Sequence, residues 1–222
     1  MFLFLKSLSR SVHHEEQQED DQPDDQKYLK KIDHGMSLTV WRKSLVISCN
    51  GFTVIDSQGN LVYRVDNYIG HPEELTLMDA SGKSLLTMRR RKKLAMVDSW
   101  FVYEGDRDHE DCRTTRTTKM RPVFCVKKHI NILQSNSNVL AHVCYYHRRS
   151  SKRFAYTVEG SYMNRSCKVL DEWRRVVAEI RRKEAAKSGV SFGVDVFVLV
   201  VEPGFDPGFA MALVLLLDQM FS

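Results

Sequence analysis

The sequence has 222 residues, of which 43% are hydrophobic and 27% are charged, a composition typical of a globular protein that excludes a wholly disordered chain. Its five cysteines are too few for a disulfide scaffold, and no apolar run reaches the ~20 residues that a membrane-spanning helix needs. The formal net charge is +5, but residues 1–26 contain two basic and seven acidic residues, so the rest of the chain carries +10.

The acidic N-terminal segment is predicted to be separate from the folded part of the protein. Residues 1–33 are predicted to form a flexible acidic tail, because residues 11–27 offer almost no apolar surface to bury. Residues 34–222 are predicted to form one domain. The opening apolar run is shorter than the ~7–15 residues of the hydrophobic region of a signal peptide. The odd number of cysteines favours a reducing compartment.

The body of the chain has the pattern of an all-β protein. Short runs rich in Val, Ile, Leu and Tyr alternate with turn signals, which is typical of a β-sandwich or β-barrel. One hairpin is predicted to join residues 52–56 to 61–65 through a turn that contains Gly59, and a second to join 75–78 to 85–88. Further strands are predicted at residues 94–103, 123–129, 139–147, 153–159 and 195–201.

Residues 168–187 fit two structures. The spacing of Val169, Trp173, Val176 and Ile180 suits one face of a helix, and the Arg, Glu and Ala residues between them favour helix formation. The same segment can also form two short strands joined by a turn. Residue pattern alone leaves both interpretations open.

The C-terminal segment is predicted to be a buried helix. Asp206 is a suitable N-cap and Pro207 suits the first helical position. Residues 209–217 are apolar all round, which indicates either a membrane span or a helix enclosed by protein. Nine residues rise about 14 Å, far less than the ~30 Å of a bilayer core. We therefore expect an enclosed helix rather than a tail anchor, with Asp218 and Gln219 marking its return to solvent.

The sequence contains no recognisable catalytic or cofactor motif. Nucleotide-binding glycine loops, the His-Glu-x-x-His motif and the Gly-x-Ser-x-Gly motif are all absent from it. The run from His109 to Cys112 lacks the spacing of known metal sites. We therefore predict no catalytic residue, no metal site and no cofactor.

The densest basic cluster is the predicted binding feature. If residues 89–93 formed one flat strand, alternate side chains would place positive charge in the core. We therefore expect these residues to form a hairpin tip between 85–88 and 94–97, where all five charges reach water. Such a tip suits an anionic membrane surface, at about 1 kcal/mol per basic residue. Aromatic residues are not interleaved with the basic groups as in base-stacking RNA-binding sheets, so no specific nucleic acid is expected. The candidate lipid-binding residues are Arg89, Arg90, Arg91, Lys92 and Lys93.

Several runs resemble a known plant family. They are LTVWRKSL (38–45), NGFTV (50–54), GNLVYRVDNY (59–68), LMDASGK (77–83), LLTMRR (85–90) and the closing DVFVLVVEPGFD (195–206). Together they resemble the LURP-one-related family over about residues 34–220. In that family a Gly stands at the position of Arg174, within a turn between two strands, so the resemblance favours the hairpin over the helix for 168–187.

The resemblance implies a fold similar to the C-terminal domain of Tubby proteins, a mainly β structure in which a closed antiparallel β-barrel encloses a hydrophobic C-terminal helix. It also implies a non-enzymatic, defence-associated protein. Together with the basic cluster, this leads us to expect a monomer that docks on anionic phospholipid or phosphoinositide, with an unknown protein partner. The alternatives are a protein-interaction scaffold without lipid affinity and a scramblase-like lipid-handling protein. The implied location is cytoplasmic, peripheral at the plasma membrane or shuttling to the nucleus. The phosphoinositide-binding residues of Tubby proteins have no motif match in this sequence.

Overall fold

The computed structural model describes residues 35–47, 49–66, 73–91, 99–105, 121–130, 138–146, 154–183 and 193–222. Within these residues, twelve antiparallel strands close into a barrel, and one helix follows them. The strands are β1 (Met36–Trp41), β2 (Phe52–Ile55), β3 (Leu61–Val65), β4 (Glu74–Asp79), β5 (Ser84–Arg90), β6 (Ser99–Glu104), β7 (Phe124–Lys128), β8 (Val139–Tyr145), β9 (Tyr156–Ser161), β10 (Ser166–Leu170), β11 (Val176–Arg182) and β12 (Val196–Val201), and the helix is α1 (Pro207–Phe221).

The strands follow chain order around the barrel, and β12 closes it against β1. The two predicted hairpins are confirmed as β2–β3 and β4–β5. The strand predicted at 94–103 begins at Ser99 in the described part of the chain, because residues 92–98 lie outside it. Since side chains alternate between the two faces of a strand, each strand sends one row of residues into the barrel, as Leu38 and Val40 of β1 show with no exposed surface.

Helix α1 fills the barrel, which confirms the predicted fold class. Asp206 caps it, since its Oδ1 accepts a hydrogen bond of 2.5 Å from the Phe209 backbone N–H, and Pro207 begins the helix. Every residue from Pro207 to Asp218 is buried. A helix without a polar face needs apolar neighbours on all sides, and the inward rows of the strands supply them. No helix among the described residues is both long enough and apolar enough to cross a membrane.

The prediction that Asp218 marks the return of the helix to solvent is wrong. Its side chain is only 1% exposed, and α1 continues to Phe221. The physical reason is that Asp218 finds polar partners inside the barrel. Its carboxylate accepts hydrogen bonds from the Tyr162 hydroxyl at 3.0 Å and from the Arg42 guanidinium at 3.2 Å.

Residues 166–182 form a hairpin, as the family resemblance implied. Strands β10 and β11 pair antiparallel, and Asp171 accepts backbone hydrogen bonds from Trp173 and Arg175 in the turn between them. Arg174 adopts φ +67° in this turn, a left-handed conformation that favours glycine. A bidentate contact with Glu159, at 2.6 and 3.2 Å, holds its guanidinium.

The barrel has two ends that differ in what they carry. The C-terminal end of α1 lies at one end of the barrel, which we call the exit end. The same end carries the connections β1–β2, β3–β4, β5–β6, β7–β8, β9–β10 and β11–β12. The opposite end carries the remaining connections and the N-terminus of α1. The described chain starts at the opposite end, because Met36 pairs with Val201 there. The acidic tail predicted at 1–33 lies outside the described residues.

Candidate functional site

The exit end carries most of the large hydrophobic residues that are exposed in the described part of the chain. Ten large hydrophobic residues are exposed in the part of the chain that the structure describes, and seven of them belong to this end. Globular proteins expose single apolar residues commonly, whereas a concentration on one surface marks an interaction site. The seven residues are Trp41, Leu45, Val46, Ile47, Ile130, Met163 and Val194.

Three of these residues are consecutive and form a tip in the β1–β2 connection. Leu45, Val46 and Ile47, which we call the 45–47 tip, are 56%, 41% and 91% exposed. Water covers much of their aliphatic surface, at a cost that burial against another apolar phase would remove.

Hydrogen bonds hold the base of the 45–47 tip. The Ser44 hydroxyl donates to Asp66 at 2.7 Å and accepts from the Val46 backbone N–H at 3.0 Å, while Thr53 donates to the Lys43 carbonyl at 2.6 Å. On the far side of the connection, Gly51 packs so closely that a Cβ there would lie 1.9 Å from the Val65 carbonyl oxygen. The tip is therefore presented by a tightly packed base.

The exit end also carries an inner ring of cations. The inward-facing rows of five strands end in a basic residue at this end, because alternation continues past the last apolar position. We call these residues the inner ring, and they are Arg42, Arg90, Lys128, Arg165 and Arg182.

Several members of the inner ring contact the C-terminal part of α1 or the turns around it. Arg42 binds Asp218, and Lys128 donates to the Met220 carbonyl at 2.5 Å while its ammonium lies 4.5 Å from the centre of the Phe221 ring. A helix C-terminus carries partial negative charge, which cations stabilise. These two contacts therefore have a structural role.

Arg165 is the most deeply buried cation of the inner ring. Its side chain is sandwiched between the rings of Tyr162 and Phe197, at 4.2 and 4.6 Å, and it donates to the Val194 carbonyl at 2.8 Å. Among the described residues no carboxylate forms an ion pair with it. Its φ of +50° adds backbone strain that these contacts offset.

A second set of cations at the exit end points outward. Lys43, Arg91 and Lys127, which we call the outer cations, occupy positions that alternate away from the interior. The Lys43 ammonium lies 5.4 Å from the ring centre of Trp41, and the Arg91 guanidinium lies 5.4 Å from that of Phe101. Of these three, Lys43 lies beside an exposed apolar residue, since Trp41 is 42% exposed.

The five residues predicted to contact lipid are placed differently from one another. The prediction of a common hairpin tip is wrong for Arg89 and Arg90, because β5 extends to Arg90. Arg89 points outward and forms an ion pair with Glu74, whereas Arg90 belongs to the inner ring. Arg91 is an outer cation, and Lys92 and Lys93 lie outside the described residues. Their role in binding lipid remains a prediction.

A cavity opens beside the 45–47 tip. It has a volume of about 770 Å³ and is bounded by the β1–β2 connection and by the residue that precedes β12. Its polar lining includes Arg42, Lys43, Asn50 and Asp195, and its apolar lining includes the 45–47 tip. The Arg42 backbone N–H donates to the Asp195 carbonyl at 2.8 Å, which joins the two walls.

Three of the described thiols are poorly suited to nucleophilic chemistry. Burial raises the pKa of Cys167 to about 12 and also raises the pKa of Cys125 and Cys144, so all three stay protonated near neutral pH. Within the described ranges, no group of three or more His, Cys, Asp or Glu residues is arranged to hold a metal ion.

Sequence reasoning missed the 45–47 tip as a functional feature. The signal was present, because an apolar run follows Arg42 and Lys43 directly after a strand. Apolar residues are usually buried, however, so the pattern alone predicts core rather than exposed surface.

Comparison with known proteins identifies the family. A family model described as LURP-one-related matches residues 36–218. The chain is 49% identical over 229 residues to protein LURP-one-related 17 of Arabidopsis thaliana, with 100% of both chains covered. It is 47% identical over 187 residues to protein LURP-one-related 8 of the same plant, with 83% of this chain and 86% of the relative covered.

A solved structure shows the same fold. An X-ray structure of an Arabidopsis thaliana protein, 24% identical in sequence, matches with a TM-score of 0.55 and covers 84% of this chain and 91% of its own. These findings confirm the resemblance carried by the sequence runs at 38–45 and 195–206. The chain belongs to the LURP-one-related family.

Proposed function

We propose that the protein docks non-catalytically on an anionic phospholipid surface through the exit end of its barrel. The observation that carries this proposal is the 45–47 tip, whose exposed aliphatic side chains lie next to Lys43 at the same end as the other outer cations. Apolar side chains enter the boundary between headgroups and acyl chains, and basic residues around them attract anionic headgroups.

The expected free energies of membrane binding suit reversible attachment. Full burial of one aliphatic side chain of this size is worth ~1.5–3 kcal/mol, and a basic residue near an anionic surface adds about 1 kcal/mol. Either contribution alone gives marginal attachment, whereas the two together give stable but reversible attachment. The 45–47 tip and the outer cations together supply both contributions.

Sedimentation with vesicles tests the proposal. We expect the full chain to bind vesicles of phosphatidylcholine mixed with phosphatidylglycerol, and to bind pure phosphatidylcholine much less. Ile47→Ser should lower the partition coefficient about tenfold, the effect of losing one buried aliphatic side chain. The matched control is Trp173→Ser, because Trp173 is 67% exposed at the opposite end of the barrel. Equal partitioning of wild type and Ile47→Ser would overturn the proposal.

Salt dependence separates the two contributions. Replacing Lys43, Arg91 and Lys127 by Gln should weaken binding at low ionic strength and reduce its salt dependence, because charge attraction is screened by salt. Ile47→Ser should weaken binding equally at low and high salt. A triple variant that binds as wild type does would show that the outer cations take no part.

The second candidate function is a protein-interaction scaffold, which the opposite end of the barrel favours. Trp173 is exposed there on a turn fixed by Asp171, and the Arg175 guanidinium lies 4.9 Å from its ring centre. Trp and Arg are the residues most often found at the centre of protein interfaces. Loss of partner binding in Trp173→Ser, with lipid binding intact, would support this function.

The scramblase-like alternative is less favoured, since it would require α1 to leave a barrel in which it is buried from Pro207 to Asp218. The proposed setting is basal defence, in the cytoplasm at the inner surface of the plasma membrane or in the nucleus. This setting rests on the family resemblance, and a monomeric protein with a phosphoinositide as the lipid is part of the same proposal.

A further inference from the structure

The cavity beside the 45–47 tip has the size and position of a headgroup site. Its volume of about 770 Å³ falls within the ~300–1,000 Å³ of ordinary ligand pockets. The same connection that forms one wall also carries the 45–47 tip. If the tip enters the apolar layer as proposed above, the cavity faces the headgroup layer, and this inference therefore rests on the proposed docking.

The charges that line the cavity have opposite signs and do not neutralise each other. Arg42 and Lys43 lie on the β1 side, and Asp195 precedes β12 on the other side. Neither the Lys43 ammonium nor the Asp195 carboxylate takes part in an ion pair with any residue that the structure describes. Arg42 is partly committed to Asp218, so Lys43 is the cation that is most available to a ligand.

This pattern disfavours a ligand that carries negative charge only. The headgroups of phosphatidylglycerol and phosphatidic acid would satisfy the cations but would be repelled by Asp195. A headgroup with an ammonium beside its phosphate satisfies both walls. Phosphatidylethanolamine has one anionic group and one ammonium, whereas phosphatidylserine adds a carboxylate, which provides a second anion for the second cation.

We propose that this cavity binds the headgroup of phosphatidylserine, with its phosphate and carboxylate facing Arg42 and Lys43 and its ammonium facing Asp195. The barrel thereby recognises a particular lipid rather than negative surface charge in general. Specificity of this kind arises from both attraction and repulsion, because Asp195 favours the ammonium and repels purely anionic headgroups.

The test compares vesicles of equal surface charge. Full-length protein is sedimented with phosphatidylcholine vesicles that contain the same fraction of phosphatidylserine or phosphatidylglycerol, each of which carries one net negative charge. We expect tighter binding to phosphatidylserine. Asp195→Asn should weaken binding to phosphatidylserine about three- to fivefold, the effect of losing one solvent-accessible ion pair. Its binding to phosphatidylglycerol should be unchanged or stronger.

Two controls make the result specific. Glu172→Gln removes an exposed carboxylate at the opposite end of the barrel and should leave both affinities unchanged. Lys43→Gln should weaken binding to both lipids, because both carry a phosphate. Equal melting temperatures of all variants exclude unfolding as the cause of any difference.

The outcomes distinguish this inference from the proposed docking. If wild type binds both lipids equally and Ile47→Ser weakens both, docking stands and the headgroup inference is overturned. If Asp195→Asn changes both affinities alike, selectivity does not come from the cavity. If the protein binds no vesicle, both proposals are overturned. Dimerisation that Ile47→Ser abolishes would assign the 45–47 tip to a second copy of the chain instead.

Discussion

Removing one partner at a time from the ion pair between Arg42 and Asp218 should lower the free energy of unfolding by unequal amounts. Arg42→Met keeps the aliphatic stem but leaves a carboxylate that is 1% exposed without this ion pair. We expect a loss of about 2–3 kcal/mol of unfolding free energy, because a buried charge without its counter-charge is costly. Asp218→Asn should cost only about 1 kcal/mol, since the Arg42 side chain is 38% exposed and water can solvate its charge.

The double variant provides the decisive comparison. Adding Asp218→Asn to Arg42→Met removes the buried charge that has lost its Arg42 partner, so the second substitution should restore about 1–2 kcal/mol. Urea unfolding followed by circular dichroism measures all four proteins, and unchanged m-values confirm that the same surface is exposed on unfolding. If Asp218→Asn destabilises the Arg42→Met protein further, Arg42 is not what keeps the carboxylate stable inside the barrel.

Three further predictions concern the core, a turn and a histidine. Leu215 has no exposed surface, so Leu215→Ala should lower the free energy of unfolding in urea by about 2–5 kcal/mol. Leu215→Asp should prevent folding, and its cooperative melting near the wild-type temperature would contradict an enclosed helix. Arg174→Gly and Arg174→Ala both lose the Glu159 contact, but only glycine relieves the left-handed backbone. Arg174→Gly should therefore be neutral or stabilise the protein by up to about 1 kcal/mol, and Arg174→Ala should melt lower; the reverse order would refute this account of the turn. Burial lowers the pKa of His142 below its usual 6.5, so the unfolded chain binds a proton more readily than the folded protein, and stability should fall as the pH falls through 6.5. Melting temperatures measured on either side of that pH should decline less in His142→Gln than in wild type. An equal decline would assign the effect to other groups.

The sequence predicted those parts of the fold that local patterns determine. The hairpin around Gly59 has alternating strands and a turn residue that accepts positive φ, and α1 has an N-cap, a proline and an apolar run in consecutive positions. Each of these signals lies within a few residues of the element that it specifies. The β10–β11 hairpin was different, because its residues fit a helix equally well and only the family resemblance favoured the correct structure.

The errors and omissions concern contacts between distant parts of the chain. Asp218 follows an apolar run, which locally indicates a helix end in water, but its partners Arg42 and Tyr162 are 176 and 56 residues away in the sequence. Exposure of the 45–47 tip is likewise a tertiary property, because three aliphatic residues after a strand normally continue into the core. The candidate site therefore could not be located until closure of the barrel placed six connections at one end.

The two sets of cations at the exit end should respond differently to neutralisation. Lys128 belongs to the inner ring and donates to the Met220 carbonyl, one of the acceptors that a helix leaves unsatisfied at its C-terminus. Lys128→Gln should therefore lower the unfolding free energy by about 1 kcal/mol. The Lys43 ammonium lies 5.4 Å from the Trp41 ring centre and forms no ion pair with the residues that the structure describes, so Lys43→Gln should leave stability within about 0.5 kcal/mol of wild type.

Vesicle binding should show the reverse pattern. Lys43→Gln should reduce binding, whereas Lys128→Gln should reduce it less, because its ammonium is held against the end of α1 and is less available to headgroups. Both variants remove one positive charge, so a mechanism that depends only on net charge predicts equal loss. Equal loss of binding would therefore contradict the distinction between Lys128, which stabilises the end of α1, and Lys43, which contacts lipid. It would leave the 45–47 tip as the specific element of the surface.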